Sequence, residues 1–171
     1  AVLVDSSISM EQRIDFALSI AAALKLALSR VPNTQAMVAS YTTSYTTNLH
    51  GGIAIYRIYD RATDFRPGKV IMLNTPSGQA IAAIALRMDK FVSGKDKLII
   101  HVTDGAPDSH ETVKDAVKFC NQHNIEVLTI LVACPNPDTT DSYHGLVQEI
   151  KDIKQLPDAI ISLLKKKLNL L

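Results

Sequence analysis

The sequence predicts an α/β protein: a doubly wound, mostly parallel sheet with one antiparallel edge strand and helices on both faces. Short apolar runs without polar alternation mark strands buried on both sides. Stretches with apolar residues three and four apart separate most of those runs as covering helices. One pair of strand patterns has no helix between its members, which fits an antiparallel hairpin with a long loop. The chain has 171 residues, 47% of them hydrophobic, which is enough for one core and cramped for two, so a single domain over residues 1–171 is expected.

Ala1 to Val4 is the first buried strand. Ile14, Ala17, Leu18, Ala21, Leu24 and Leu28 then trace one face of a helix, which Pro32 and Asn33 end. Met37 to Tyr41 and Ile53 to Tyr59 are the paired strands, the second alternating in Ile53, Ile55, Arg57 and Tyr59, with the polar stretch YTTSYTTNLHGG between them. From there to Leu73 no pattern is clear. Ser77 to Val92 is helical, with Ile81, Ile84, Ala85 and Met88 on one side. Leu98 to Thr103 is a buried strand, His110 to His123 a helix and Ile125 to Val132 a strand. The loop PNPDTTDSYHG and the segment Leu146 to Ile153, whose type the pattern leaves open, precede a closing helix from Leu156 to Leu168.

Eighteen basic side chains against seventeen acidic ones give a net charge of +1, so no overall field attracts nucleic acid or acidic lipid. Lys165, Lys166 and Lys167 sit where a helix end favours cations. No apolar stretch reaches the roughly 20 residues of a membrane span, because Lys25 interrupts Phe16 to Leu28. No secretory signal is expected. Cys120 and Cys134 are too few for a disulfide framework, which suits a reduced, cytoplasmic protein. Cys120 and His123 could share a helix face, but a zinc site needs more ligands nearby. Because Ala1 already lies inside a strand pattern, the chain is expected to be a fragment of a longer polypeptide.

Sheets of this kind bind ligands outside the carboxyl ends of their strands. Three loops there carry unusual chemistry: DSSIS, NTPSGQAI and TDGAPD. Helix capping could employ Ser9, Ser77, and Asp108 or Ser109, one residue per helix. That leaves Asp5, Ser7, Thr75 and Asp104 without assigned roles. All the surplus groups offer oxygen, so the matching ion is hard and octahedral, Mg2+ or Mn2+ before zinc. Neutral hydroxyls, with carboxylates acting through water, would leave such an ion electrophilic and open to a carboxylate from another molecule.

Asp5, Ser7, Ser9 and Met10 resemble the D-x-S-x-S-M opening of a von Willebrand factor type A domain. Thr75 in TPSGQAI is similar to that family's threonine loop, and Asp104 in VTDGAPD to its T-D-G loop. The resemblance spans nearly the whole chain and implies a Rossmann-like sheet with an antiparallel edge. It also implies a metal-ion-dependent adhesion site made of Asp5, Ser7, Ser9, Thr75 and Asp104. In the family, the hydroxyls approach the ion, the aspartates mostly hold its waters, and a partner's Asp or Glu completes the shell. The SYTT after the second strand, IYRIYD, TDGAPD and KDIKQLPDAIISLL further resemble the C-terminal domain of a cobaltochelatase subunit that works beside an AAA+ ATPase. This implies a non-catalytic module with such an ATPase as partner. The family commonly has glycine between the two serines, where this chain has Ile8. If the loop needed a positive φ there, a β-branched residue would loosen the site.

Two other readings compete. A plain α/β domain would use these loops for caps alone. A haloacid-dehalogenase-like phosphatase would use Asp5 as nucleophile, Thr75 as phosphate contact, Lys95 or Lys97 as clamp, and Asp104 with Asp108 as metal ligands. Ser7 argues against it, since a hydroxyl cannot protonate a leaving group near neutral pH as a second acid would. His101 lies inside a strand and reads as an interior imidazole. His50, His110 and His144 form no convincing triad, and Tyr41, Tyr45, Tyr56 and Tyr59 gather near the edge strands, where they could line an interaction surface.

Overall fold

The computed structural model describes residues 1–43, 53–59, 74–94, 96–133, 141, 143 and 146–167, the side chains of 53–59, 146 and 163–167 excepted. Lys95, His50, Tyr45, Cys134 and His144, the side chains of Tyr56 and Tyr59, and the segment from 60 to 73 lie outside the described residues. The elements in chain order are β1 (Val2–Asp5), a 3-10 turn (Ile8–Gln12), α1 (Ile14–Leu28), β2 (Val38–Thr43), β3 (Ile53–Tyr59) and α2 (Ser77–Phe91). They continue with β4 (Lys97–Thr103), α3 (His110–Gln122), β5 (Ile125–Val132), β6 (Leu146–Ile150), a second 3-10 turn (Ile153–Gln155) and α4 (Leu156–Lys167).

The strands form one sheet in the order β3-β2-β1-β4-β5-β6. β1 lies parallel between β2 and β4, β5 and β6 extend the parallel part, and β3 runs antiparallel to β2. The central position of β1 explains its unbroken apolar run, since both faces are covered and all four residues are buried. Val2 and Val4 face α1 and α4 in one hydrophobic cluster; Leu3 faces α2 and α3 in the other. Alternation along a strand therefore supplies both cores from the same short segment.

The segment of open type is resolved as β6 followed by a turn. Asp152 begins that turn by accepting from the Lys154 amide (2.8 Å), while Gln155 Oε1 accepts from the Asp152 amide (3.1 Å), a reciprocal cap that stops the strand. Asn124, at φ 54°, takes the left-handed turn that lets α3 pass directly into β5.

Capping differs from expectation at two helices of three. Ser109 caps α3 by accepting from the Thr112 amide (3.3 Å). Arg13 stands at the N-cap of α1 and Pro76 at that of α2, and neither provides a side-chain cap. Ser9 and Ser77 are thereby freed for contacts across the sheet. Ile8 is not among the non-glycine residues of positive φ, which are Asn33, Asn124 and Ala133 among the described residues. The loop does not need the angle a glycine would give, and Ile8 places its side chain outward, 56% exposed.

Gly78 is required for a different reason. A Cβ there would lie 2.5 Å from both the carbonyl oxygen and Oγ1 of Thr112, so α2 and α3 can approach this closely only without a side chain. Gly78→Ala is expected to cost about 1–3 kcal/mol, as overpacked substitutions do, read as a lower denaturant midpoint with unchanged slope.

Candidate functional site

β1 ends at the centre of the sheet, and this brings Asp5 to the carboxyl rim with no exposed surface. Its Oδ1 accepts from the Ser7 amide (2.8 Å) and its Oδ2 from Thr103 Oγ1 (2.6 Å). Burial raises its carboxyl to about 7; the bonds from Thr103 and Ser7 oppose that rise, and the charge of Asp104 adds to it. Ser7, also buried, shares a hydrogen bond with Ser9 (Oγ to Oγ 3.0 Å), and Ser9 Oγ donates to Asp104 Oδ1 (2.8 Å). Arg13 Nη1 donates to the other oxygen, Asp104 Oδ2 (2.9 Å), and to the Ser9 carbonyl (3.3 Å).

Thr75 reaches this rim by another route. Its amide donates to Asp108 Oδ1 and its carbonyl accepts from the Asp108 amide, both at 2.9 Å, so the threonine loop is clamped to the loop that carries Asp104. No hydrogen bond joins Thr75 to Ser7, Ser9 or Asp104 among the described residues. Its residue is nonetheless buried, with 8% of its surface exposed. Asp5, Ser7, Ser9 and Asp104 thus form one hydrogen-bonded group, and Thr75 stands beside it on a loop fixed by Asp108.

Beneath these loops lies a polar network that the sequence did not disclose. Tyr41 OH bonds His101 Nε2 and Ser77 Oγ, each at 2.8 Å; Ser77 Oγ bonds Tyr143 OH (3.1 Å), which donates to the Gly105 carbonyl (2.9 Å). Tyr41 is fully buried and so does not line a surface. His101 is an interior imidazole as expected, but only half satisfied: its Nδ1 has no partner among the described residues, and burial lowers its pKa to about 3. Among the missed residues, only Thr103 and Arg13 had local signals, one adjoining Asp104 and the other a helical turn beyond Ser9. Tyr143 had none.

The donor set suits a hard cation. The groups are oxygen throughout, and Asp5 is a buried carboxylate with no basic side chain bonded to it among the described residues. Among the described residues, no group of three or more His, Cys, Asp or Glu gathers into a metal site, so a cation here must rely on hydroxyls. Cys120 is buried with its thiol pushed up to about 11, whereas His123 stacks on Phe119 and pairs with Asp89 (3.2 Å). They do not act together. Of the two lysines considered as a phosphatase clamp, Lys95 lies outside the described residues, and Lys97 begins β4, pairs with Asp89 (3.3 Å), and lies about 20 Å of strand away from Thr103. A groove of about 890 Å³ opens at that opposite end, lined by Asp89, Lys97, His123 and Glu126 among others, remote from the candidate ligands.

The class follows from this architecture: a three-layer α/β domain, its oxygen-bearing loops gathered at the carboxyl rim of a central parallel strand. It is the fold of von Willebrand factor type A domains. The chain is similar to a von Willebrand factor type A structure from Catenulispora acidiphila, with TM-score 0.64 and 19% identity over 96% of this chain and 41% of that one. It also resembles the manganese-loaded TRAP protein of Plasmodium vivax, with TM-score 0.67 and 13% identity over 95% of this chain and 71% of that one. A third likeness is to proximal thread matrix protein 1 from the mussel byssus with a zinc-occupied MIDAS motif, at TM-score 0.65 and 14% identity over 97% and 44%. No family model and no curated protein matches the sequence. The chain spans less than half the length of the Catenulispora and mussel structures, 41% and 44%. Among the described residues, no helix is long and apolar enough to cross a membrane.

Proposed function

We propose that this chain is a divalent-cation-dependent protein-interaction module, a single domain of a longer cytoplasmic protein, acting by binding and not by catalysis. Ser7, Ser9 and Thr75 would face a Mg2+ or Mn2+ ion, and Asp5 and Asp104 would hold its waters. The ion supplies Lewis acidity that draws a carboxylate. The Asp or Glu of a partner protein would complete the shell, so affinity for the partner would depend on the cation. One observation carries this reading: Ser7, Ser9 and Asp104 are linked at 3.0 and 2.8 Å across 95 residues of sequence, beside the buried carboxylate of Asp5. The sequence resemblance extends the proposal to an AAA+ ATPase partner in a cobaltochelatase-like assembly. Nucleic acid and membrane are not proposed as partners, given the net charge of +1.

A cation present at a hundredfold excess over its dissociation constant stabilises by about 2.7 kcal/mol. For a domain of this size that is a rise in Tm of roughly 5–10 °C. Mg2+ is expected to produce such a rise in the native chain and none in Asp104→Ala. Capture of the AAA+ ATPase, measured for both proteins with and without Mg2+, is expected only for the native chain with Mg2+. Equal capture in all four conditions would rule out metal-bridged recognition.

A further inference from the structure

We infer that Arg13 is a built-in competitor for the cation, setting how much Mg2+ the site needs before it fills. This rests on the metal-site reading above. The guanidinium donates to Asp104 Oδ2 at 2.9 Å while Ser9 Oγ occupies Asp104 Oδ1 at 2.8 Å, so both oxygens of this carboxylate are engaged from within the chain. The Asp104 side chain is 1% exposed, and that of Arg13 is 30% exposed. A nearly dry carboxylate held by a partly solvated cation has its charge balanced, yet the balancing group can swing away into water without itself being desolvated.

Arg13 is also fixed where it can act. It stands at the junction between the 3-10 turn and α1, and its second bond, to the Ser9 carbonyl at 3.3 Å, ties it to the serine loop. A divalent ion drawn to Asp104 and Ser9 meets a positive charge already on the same carboxylate. It must repel or displace that charge, and either event lowers its apparent affinity. Asp5, in contrast, has no such partner among the described residues: its oxygens accept from the Ser7 amide and the Thr103 hydroxyl, neither of which carries charge. Without Arg13 the Asp104 carboxylate would present its full charge to the ion. With it, one unit is cancelled.

Mg2+ and Mn2+ titrations by calorimetry, with Tm measured in EDTA and in Mg2+, test this on the native chain, Arg13→Gln and Arg13→Lys. Arg13→Gln is expected to bind Mg2+ about fivefold more tightly, the scale of one partly exposed charge pair worth about 1 kcal/mol. It should have a lower Tm in EDTA, where Asp104 loses its counter-charge, and a larger gain on adding Mg2+. Arg13→Lys keeps the charge and is expected to bind within about threefold of the native chain. Equal or weaker binding by Arg13→Gln overturns the inference while leaving the metal site intact, as does a gain of the same size in Arg13→Lys. Absence of Mg2+ and Mn2+ binding in every protein overturns the metal site as well. Should Arg13→Gln fold only with Mg2+, competitive displacement of its ion by graded EDTA gives the same comparison.

Discussion

Asp5→Asn is expected to leave the cation-free protein at least as stable as the native chain and to abolish its response to Mg2+. Burial pushes the Asp5 carboxyl from 3.8 to about 7. At about 1.4 kcal/mol per unit, an ionised Asp5 costs the empty fold on the order of 4 kcal/mol. Because the folded value is the raised one, that cost is absent below pH 3.8 and complete above about pH 7. The amide removes it, but one of its ends no longer accepts, and Thr103 Oγ1 or the Ser7 amide loses a partner worth about 1 kcal/mol. The net at pH 8 is a gain of up to about 3 kcal/mol. The same change removes a carboxylate from the proposed shell, and the rise in Tm with Mg2+ should vanish. Chemical denaturation in EDTA and thermal melts in Mg2+ measure the two halves separately. A native-like Mg2+ response in Asp5→Asn would remove Asp5 from the site, and a loss of several kcal/mol in EDTA would show that its hydrogen bonds outweigh its burial.

The second large effect is acid sensitivity through His101. Its pKa is lowered from 6.5 to about 3 by burial, which penalises a charge on the imidazole. A depressed folded value means that its contribution to stability is complete above pH 6.5 and is lost as pH falls towards 3, since the unfolded chain takes the proton first. The loss is about 2 kcal/mol at pH 5 and on the order of 5 kcal/mol near pH 3. His101→Leu should lie within about 1 kcal/mol of the native chain at pH 7.5, since it removes the unpartnered Nδ1 along with the bond to Tyr41, and should lose much less on acidification to pH 5. Parallel pH profiles for the two proteins would assign the sensitivity elsewhere.

The loops that matter were legible because their chemistry is local. Asp5 to Met10, Thr75 to Gly78 and Thr103 to Asp108 each place several oxygen-bearing residues directly after an apolar run or before a helical period, a pattern that needs no tertiary knowledge to stand out. β1, β4 and β5 were legible for a related reason: a strand covered on both faces reads as a near-continuous apolar run with few polar positions. β6 was less so, because an edge strand with Gln148 and Glu149 alternates too weakly to separate from a short helix. The caps were misread at Ser9 and Ser77, where a better bond across the sheet outcompeted the local one.

What the sequence determined alone, then, was which short segments are buried and which residue types sit at their ends, because periodicity and composition act over a few neighbouring positions. Tertiary structure decided which of those residues meet. Thr103 donates to Asp5 across 98 residues, Arg13 to Asp104 across 91, and Ser77 shares its bond with Tyr143 across 66. The first two pairs exist because β1 packs beside β4 and sets their ends side by side, the third because the start of α2 meets the segment between β5 and β6, and no local preference encodes either adjacency.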